Sequence, residues 1–261
     1  MKKLFALALA ATISIGLSGT TNADLVAHWP LNDGGNDVAG GHDADFIAES
    51  VTFDSPGKFG NAASFAGSGG IQVPFSADLN PESFSLTAWV NPADTAGWNS
   101  VVTSREDNGS TVNGYILYNT PENQWDFWTG GGGAPGTWGR DIGPNGALDT
   151  WSHLAITYDG STDTKILWLD GENAAEVSGQ GYVPNGSTDP ESARPFNIGA
   201  GEDFGTNFFF NGLIDDIGLF NSALSQGEIQ SVMVNGVPEP SSALLAIVGM
   251  LSLLSLRRRK A

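Results

Sequence analysis

The chain has 261 residues, no cysteine and a formal net charge of −18, with 29 acidic against 11 basic residues. No disulfide can staple it, so packing must hold the core together, and the acidity disfavours nucleic acid and anionic lipid surfaces as partners. The same charge suits divalent cations and favours solubility; the length allows a leader, one large domain and a tail, with no second compositional block between them.

The two ends differ from the interior. Met1 to Lys3, the apolar run Leu4 to Leu17 and the small-residue exit Thr21 to Ala23 read as a secretory signal peptide over residues 1–23, cleaved after Ala23. At the far end, Val237-Pro-Glu-Pro240 precedes an apolar run and the basic stop Arg257, Arg258, Arg259, Lys260. The stretch from Ala243 to Leu256 is 14 residues, short of the roughly 20 that cross a bilayer comfortably. Its basic end belongs in the cytoplasm. Pro238, Glu239 and Pro240, followed by such a helix and stop, closely resemble the PEP-CTERM sorting signal of Gram-negative bacteria. The resemblance implies an exosortase partner that recognises the motif and removes the helix, transient contact with the inner membrane through residues 241–256, and delivery to the cell surface or extracellular matrix. The ends take six of the bases and one acid, Glu239, which leaves five bases, 28 acids and a net charge of −23 for Asp24 to Gly236.

Within that span, Leu25, Ala27, Trp29 and Leu31 alternate with Val26, His28 and Pro30, a half-buried strand that Pro30 confines to an edge or a strand end. A turn-rich acidic loop follows from Asn32 to Asp45, then short strands over Phe59–Phe65, Gly70–Val73 and Phe84–Val90. Trp151–Tyr158 and Lys165–Asp170 bracket Asp159–Thr164 as a hairpin, and Asp170-Gly171 turns the chain into Ala174–Val177. Asn211–Phe220 is the last strand. Strict alternation puts Leu213, Ile217 and Leu219 on one face with Asp215, and Ile214 and Phe220 on the other with Asp216. Each carboxylate thus stands in an apolar row, where at least one of the two needs a dedicated partner. Ser225-Gln-Gly-Glu228 is a capping box that opens one short helix, Gln226–Val234.

At least eight short runs separated by Gly, Pro, Asn and Asp clusters predict an all-β fold. The expected architecture is a two-sheet antiparallel jelly-roll sandwich, with one short helix after the last core strand and a C-terminal hydrophobic helix. In it, Val26–Leu31 lies beside Ile214–Phe220. The ordered blocks His28–Gly35, Gly57–Pro74, Ser83–Pro92, Trp151–Gly160, Ile166–Glu172, Phe196–Gly201 and Phe210–Ile229 resemble the laminin-G-like members of the concanavalin A-like lectin/glucanase superfamily. The resemblance spans nearly all of Asp24–Asn235 and implies the sandwich fold. That fold hosts lectins, adhesion modules and polysaccharide-cleaving enzymes alike.

The resemblance also implies a structural calcium ion, Ca2+, at Asp215, completed by backbone oxygens near the first strand. The loop Asn32–Asp37 adds Asp33 and Asp37 as hard-oxygen candidates. The competing reading makes Asp215 a buried acid satisfied by backbone N–H groups, and Asp33 and Asp37 turn formers. A second constellation is aromatic. Trp98, Tyr115, Tyr118, Trp125, Trp128 and Trp138 crowd the middle of the chain around a Gly-rich loop, Thr129–Gly136. Flat rings stack on the C–H faces of sugars, and rim loops carry grafted sites, so Trp98, Trp128, Trp138 and Arg140 are the candidate ligand-binding residues. Trp29, Trp89, Trp151 and Trp168 sit in strand patterns and read as core.

No catalytic group is legible. The Glu-x-Asp-x-(x)-Glu spacing of the superfamily's glucanases is absent, and adjacent Asp215 and Asp216 point to opposite faces. Glu106-Asp107 reads as a solvated pair in a polar loop, and His153 as a satisfied structural residue. The expectation is an exported, non-catalytic domain binding a carbohydrate or protein, with an extracellular polysaccharide or surface glycan as partner. A structural spacer would instead bury the mid-chain tryptophans. A polysaccharide-degrading enzyme would gather three or more polar side chains with aromatics in one cleft.

Overall fold

The computed structural model of the protein describes residues 23–95, 97–107, 109–134, 136–187, 193–202 and 208–238. The expected signal peptide up to residue 22, Glu239, Pro240, the expected C-terminal helix and Arg257, Arg258 and Arg259 lie outside the described residues. Among those described, no helix is long and apolar enough to cross a membrane.

The first strands in chain order are β1 (Leu25–Trp29), β2 (Phe46–Ile47), β3 (Thr52–Pro56), β4 (Asn61–Ala66) and β5 (Ile71–Val73). Longer strands follow: β6 (Phe84–Pro92), β7 (Asn99–Asp107), β8 (Val112–Asn119), β9 (Gln124–Gly131) and β10 (Trp138–Asn145). The remainder is β11 (Ser152–Asp159), β12 (Thr164–Leu169), β13 (Glu172–Ser178), β14 (Phe196–Ile198), β15 (Asn211–Phe220) and the helix α1 (Gln226–Asn235). They form two antiparallel sheets. The eight-stranded sheet runs β13-β12-β11-β6-β15-β4-β3 with β1 also on β15, and the seven-stranded sheet runs β10-β9-β8-β7-β14-β5-β2.

The sandwich closes around aromatic pairs. Trp29 stacks on Phe196 at 5.0 Å between centroids and Phe84 leans on Tyr115 at 4.5 Å, in each case one ring from each sheet. Trp29 and Trp125 are fully buried and Trp89 and Trp168 nearly so, whereas Trp151 is half-buried. A second apolar cluster lies on the far face of the eight-stranded sheet, where Ile229 and Val232 of α1 pack with Phe220, Leu224, Trp168 and Ala155. Val237, the first residue of the expected tail, belongs to this cluster.

The helix starts where its capping box requires. Ser225 Oγ accepts the Glu228 N–H and Glu228 Oε2 accepts the Ser225 N–H at 2.8 Å. Because the box satisfies two of the orphan amides of the first turn, Ser225→Ala is expected to lower stability by about 1 kcal/mol in urea unfolding. An unchanged midpoint would show that packing alone holds α1.

The first and last strands meet as expected, with Leu25 opposite Phe220 and Trp29 opposite Ile217. The faces of β15 do not follow strict alternation. A bulge interrupts its pairing with β6 between Asp215 and Gly218, and Asp216 has a φ of 51°. One extra residue reverses the parity of everything after it. Ile214, Ile217 and Leu219 therefore share the main core, Phe220 turns to the helix side, and Leu213 stands outside both clusters.

Candidate functional site

The bulge sits where two strands succeed one another along one edge of β15. Residues 211–214 pair with β4, and residues 217–220 with β1. Asp215 and Asp216 occupy the gap between them, and each finds its own partners there. Asp215 Oδ2 accepts the N–H groups of Lys58 at 2.6 Å and Phe59 at 2.9 Å. The tight turn before them needs Gly57, whose added Cβ would lie 2.4 Å from that oxygen. Asp216 Oδ1 is 2.7 Å from His28 Nε2, and its Oδ2 accepts the Val237 N–H at 3.1 Å.

The calcium candidates are not gathered into one shell. Asp37 spends its oxygens on the N–H groups of His28, Ala39, Gly40 and His42, which hold its carboxyl below the ordinary value against the opposing effect of burial. Asp33 is exposed. At Asp215 burial pushes the carboxyl up to about 6, against the two amide donors. Its Oδ1 has no hydrogen-bond partner, and among the described residues no three His, Cys, Asp or Glu side chains form a group able to hold a metal. The six to eight oxygens that calcium takes would have to come largely from backbone carbonyls beside Asp215. The amides on Oδ2 match the buried-acid alternative.

The ligand-binding candidates, by contrast, come together. Trp128 of β9 lies 6.2 Å from Trp138 of β10 and 5.4 Å from Trp98, and Tyr118 of β8 lies 5.4 Å from both Trp98 and Trp128. Trp98, Trp128 and Trp138 are half-buried, while Tyr118 is buried beneath them. The Arg140 guanidinium lies 5.0 Å from the Trp128 ring centre and 5.6 Å from that of Trp98, and its Nε donates to Asp126 Oδ2 at 2.9 Å. Asp126 is fully buried, and burial raises its carboxyl despite Arg140. All of this lies on the face of the seven-stranded sheet turned away from the core, since Tyr115, Leu117, Trp125 and Phe127 alternate with these residues and point inward.

Strand register explains how Trp138 meets residues far from it in sequence. Trp138 is opposite Gly130, Gly130 opposite Gly114, and Gly114 opposite Arg105. Three strand spacings separate the ends of this row by about 14 Å, yet no side chain stands between them. The long side chains lean across the two glycines, and the Arg105 guanidinium ends 5.3 Å from the Trp138 ring centre. Glycine is required at 114 by its φ of 92° and by the Ser104 carbonyl oxygen, 1.9 Å from where a Cβ would be.

Arg105 continues the face into a cleft of about 440 Å3 lined with Asp107, Arg194 and Glu202. Arg105 Nη2 donates to Asp107 Oδ2 at 3.0 Å, Arg105 Nε lies 3.1 Å from Glu202 Oε2, and Arg194 Nε donates to Glu202 Oε1 at 3.1 Å. Burial raises the Glu202 carboxyl, and Arg105 and Arg194 oppose the rise. The Glu106-Asp107 pair is thus no solvated loop feature. It closes β7, with Asp107 in the cleft and Glu106 buried, accepting from Asn113 Nδ2 at 3.0 Å and the Gly186 N–H at 3.1 Å. The Gly-rich stretch is also less of a loop than expected, because β9 continues to Gly131.

Two more titratable groups are buried, of which Lys165 escaped the sequence reading. Lys165 crosses the core from β12 to the underside of β9, its Nζ 3.4 Å from the Phe127 carbonyl and 3.2 Å from Thr129 Oγ1; burial lowers it to about 8. His153 is buried against Trp89, held down to about 4 by burial, and its Nδ1 has no hydrogen-bond partner. The signal for Arg105 and Arg194 was scarcity: residues 24–236 contain three arginines, and all three stand at this face.

Comparison with known proteins supports this architecture. The family model Laminin_G_3, described as the concanavalin A-like lectin/glucanases superfamily, matches residues 65–230. The chain belongs to this laminin-G family. Domain 4 of AbnA, an extracellular GH43 arabinanase from Geobacillus stearothermophilus solved with arabinotriose, is 19% identical at a TM-score of 0.61, covering 81% of this chain and 98% of that domain. The binding domain of Paraclostridial Mosquitocidal Protein 1 is 13% identical at a TM-score of 0.60, covering 80% of this chain and 51% of its own. Trypanosoma rangeli sialidase is 19% identical at a TM-score of 0.58, with 80% of this chain covered and 32% of the enzyme. At such identities the likeness is one of fold. No curated protein sequence matches the chain.

Proposed function

We propose that this laminin-G domain is an exported, non-catalytic binding module that holds a glycan on the outer face of its seven-stranded sheet. One observation carries the reading: Trp98, Trp128 and Trp138, half-buried, meet Arg105, Arg140 and Arg194 on one surface. Rings that were only core would be covered. Part-exposed indoles beside bidentate polar groups are what a sugar site needs, an apolar platform with a few fixed hydrogen-bonding partners. The solved arabinanase domain, which carries arabinotriose, is consistent with glycan binding on this fold. In the same reading the Pro238-Glu239-Pro240 tail passes transiently through the inner membrane, is processed by an exosortase, and delivers the domain to the cell surface or polysaccharide matrix.

Affinity electrophoresis against a panel of soluble polysaccharides tests the binding half. The protein is expected to be retarded by at least one of them, and Trp138→Ala to weaken that retardation about tenfold or more, as loss of a central aromatic anchor does. Equal retardation of parent and variant would remove the site. Deleting the exosortase is expected to block C-terminal processing, and unchanged processing would end the sorting half.

A second reading has its own observation. Four polar side chains converge beside Trp138, with Glu202 held above the ordinary carboxyl value. That convergence is what a polysaccharide-degrading enzyme would show. Both cleft carboxylates are tied to guanidinium groups, which favours binding over proton transfer. Release of reducing ends or unsaturated products from the retarding polysaccharide would reverse the assignment.

A further inference from the structure

Resting on the glycan reading above, we propose that the site selects an uncharged glycan through paired vicinal hydroxyl groups and turns away uronic-acid and other anionic polysaccharides.

Three arginines on one face of so acidic a domain suggest an anion site at first sight. Their partners say otherwise. Arg105 contacts both Asp107 and Glu202, Arg194 contacts Glu202, and Arg140 is held by Asp126. The cleft lined by Arg105, Asp107, Arg194 and Glu202 carries two positive and two negative side chains, and the Arg140–Asp126 pair beside it is also balanced. Among the described residues nothing there is left over to neutralise an incoming carboxylate. The surrounding residues 24–236 carry a net charge of −23, so an anionic chain is repelled at long range as well.

An incoming carboxylate would also have to displace one already in place. The Glu202 side chain is 13% exposed, and stripping it of a guanidinium would leave a poorly hydrated charge without its partner. A neutral sugar makes no such demand. A guanidinium edge only donates and a carboxylate only accepts, whereas each sugar hydroxyl does both. An alternating Arg105, Glu202, Arg194 and Asp107 rim therefore presents donors beside acceptors, the pattern that two neighbouring hydroxyls satisfy. Because the four side chains fix one another through their own contacts, little ordering is left for binding to impose. The exposed parts of Trp98, Trp128 and Trp138 then cover the C–H faces of adjoining rings. The cleft volume, about 440 Å3, falls in the roughly 300–1,000 Å3 range of small-ligand sites.

Affinity electrophoresis with neutral chains (arabinan, xylan, glucan, mannan) and anionic ones (polygalacturonate, alginate), at about 20 and about 500 mM NaCl, decides the matter. The protein is expected to be retarded by a neutral chain, with a dissociation constant that changes less than about twofold between the two salts. The isosteric Glu202→Gln variant, which frees charge on Arg105 and Arg194, is expected to weaken neutral binding. It is also expected to gain at least tenfold on polygalacturonate at low salt. Salt-sensitive binding of the parent to polygalacturonate, abolished in Trp138→Ala, would overturn the neutral class while keeping the site. Retardation of the parent by neither class would overturn the site and this inference together. A Glu202→Gln variant that still prefers neutral chains as strongly as the parent would show that charge balance does not set the choice.

Discussion

Replacing Asp215 by Asn is expected to make the protein progressively more stable than the parent as pH rises from 4 to 7. The Asp215 carboxyl titrates at about 6 in the fold against an ordinary 3.8, because burial disfavours its charge more than the Lys58 and Phe59 amides favour it. A folded-state value above the unfolded one means that the native protein binds the extra proton. The associated stability is fully present below about pH 4 and is lost as pH rises through 6. The difference amounts to roughly 3 kcal/mol. An Asn carboxamide oxygen keeps both amides satisfied and never ionises. Urea unfolding at pH 4, 5, 6 and 7 should therefore show Asp215→Asn gaining about that amount on the parent across the series. Two background effects are common to parent and variant: Asp141, pushed up to about 6 by burial, adds a decline with pH, and His153, held down to about 4, adds an opposing rise. Asp215→Ala is the sharper lesion. At pH 4 it leaves two amides without an acceptor and is expected to cost about 2–4 kcal/mol. Parallel slopes for parent and Asn variant would mean that the carboxylate is solvated or metal-bound. The same experiment settles calcium: a rise with calcium over chelator at pH 7, absent in Asp215→Asn, would put a cation on Oδ1.

Removing the Arg140 side chain should have an effect nearly as large and reach both stability and binding. Asp126 is fully buried, and the Arg140 guanidinium donates to its carboxylate. Breaking a fully buried pair costs roughly 3–5 kcal/mol. The Arg140 side chain is 39% exposed, so solvent already screens the pair, and about 2 kcal/mol is the expected loss for Arg140→Met near pH 7. The loss should shrink in acid, because an unpartnered Asp126 can take up a proton there. The double variant Asp126→Asn, Arg140→Met should recover most of it, and the shortfall from additivity measures the pair. Binding should not recover in the double variant, since the guanidinium over Trp98 and Trp128 is gone. A single variant as stable as the parent would show that Asp126 relies on other partners, such as the nearby Lys165 charge that also favours its ionised form.

These two carboxylates mark how far the sequence could be read. The strands β1 and β15, the capping box at Ser225 and the hairpin of β11 with β12 were legible because each is written in neighbouring residues: alternation, a three-residue cap spacing and turn chemistry; that β1 lies beside β15 followed from the expected sandwich topology. The need of Asp215 and Asp216 for partners was legible too, from charge in an apolar row. Their partners were not. The bulge that gives Asp215 the Lys58 and Phe59 amides and Asp216 the His28 ring arises only where β4 and β1 share an edge of β15. It also moved Ile214 into the core and Leu213 out of it, and no local pattern announces an extra residue.

For the candidate site, the sequence by itself determined the supply: a cysteine-free, strongly acidic chain, a crowd of mid-chain aromatics, and three arginines among 28 acids in residues 24–236. Only the tertiary structure decided their use. Trp138 reaches Arg105 because Gly130 and Gly114 fall between them in register across four strands, and Glu202 joins them from a segment nearly a hundred residues further along the chain than Arg105. Sequence patterns report which face of its own strand a residue takes. Contacts across strands depend on register and on what the intervening side chains leave open, and those are properties of the assembled sheet.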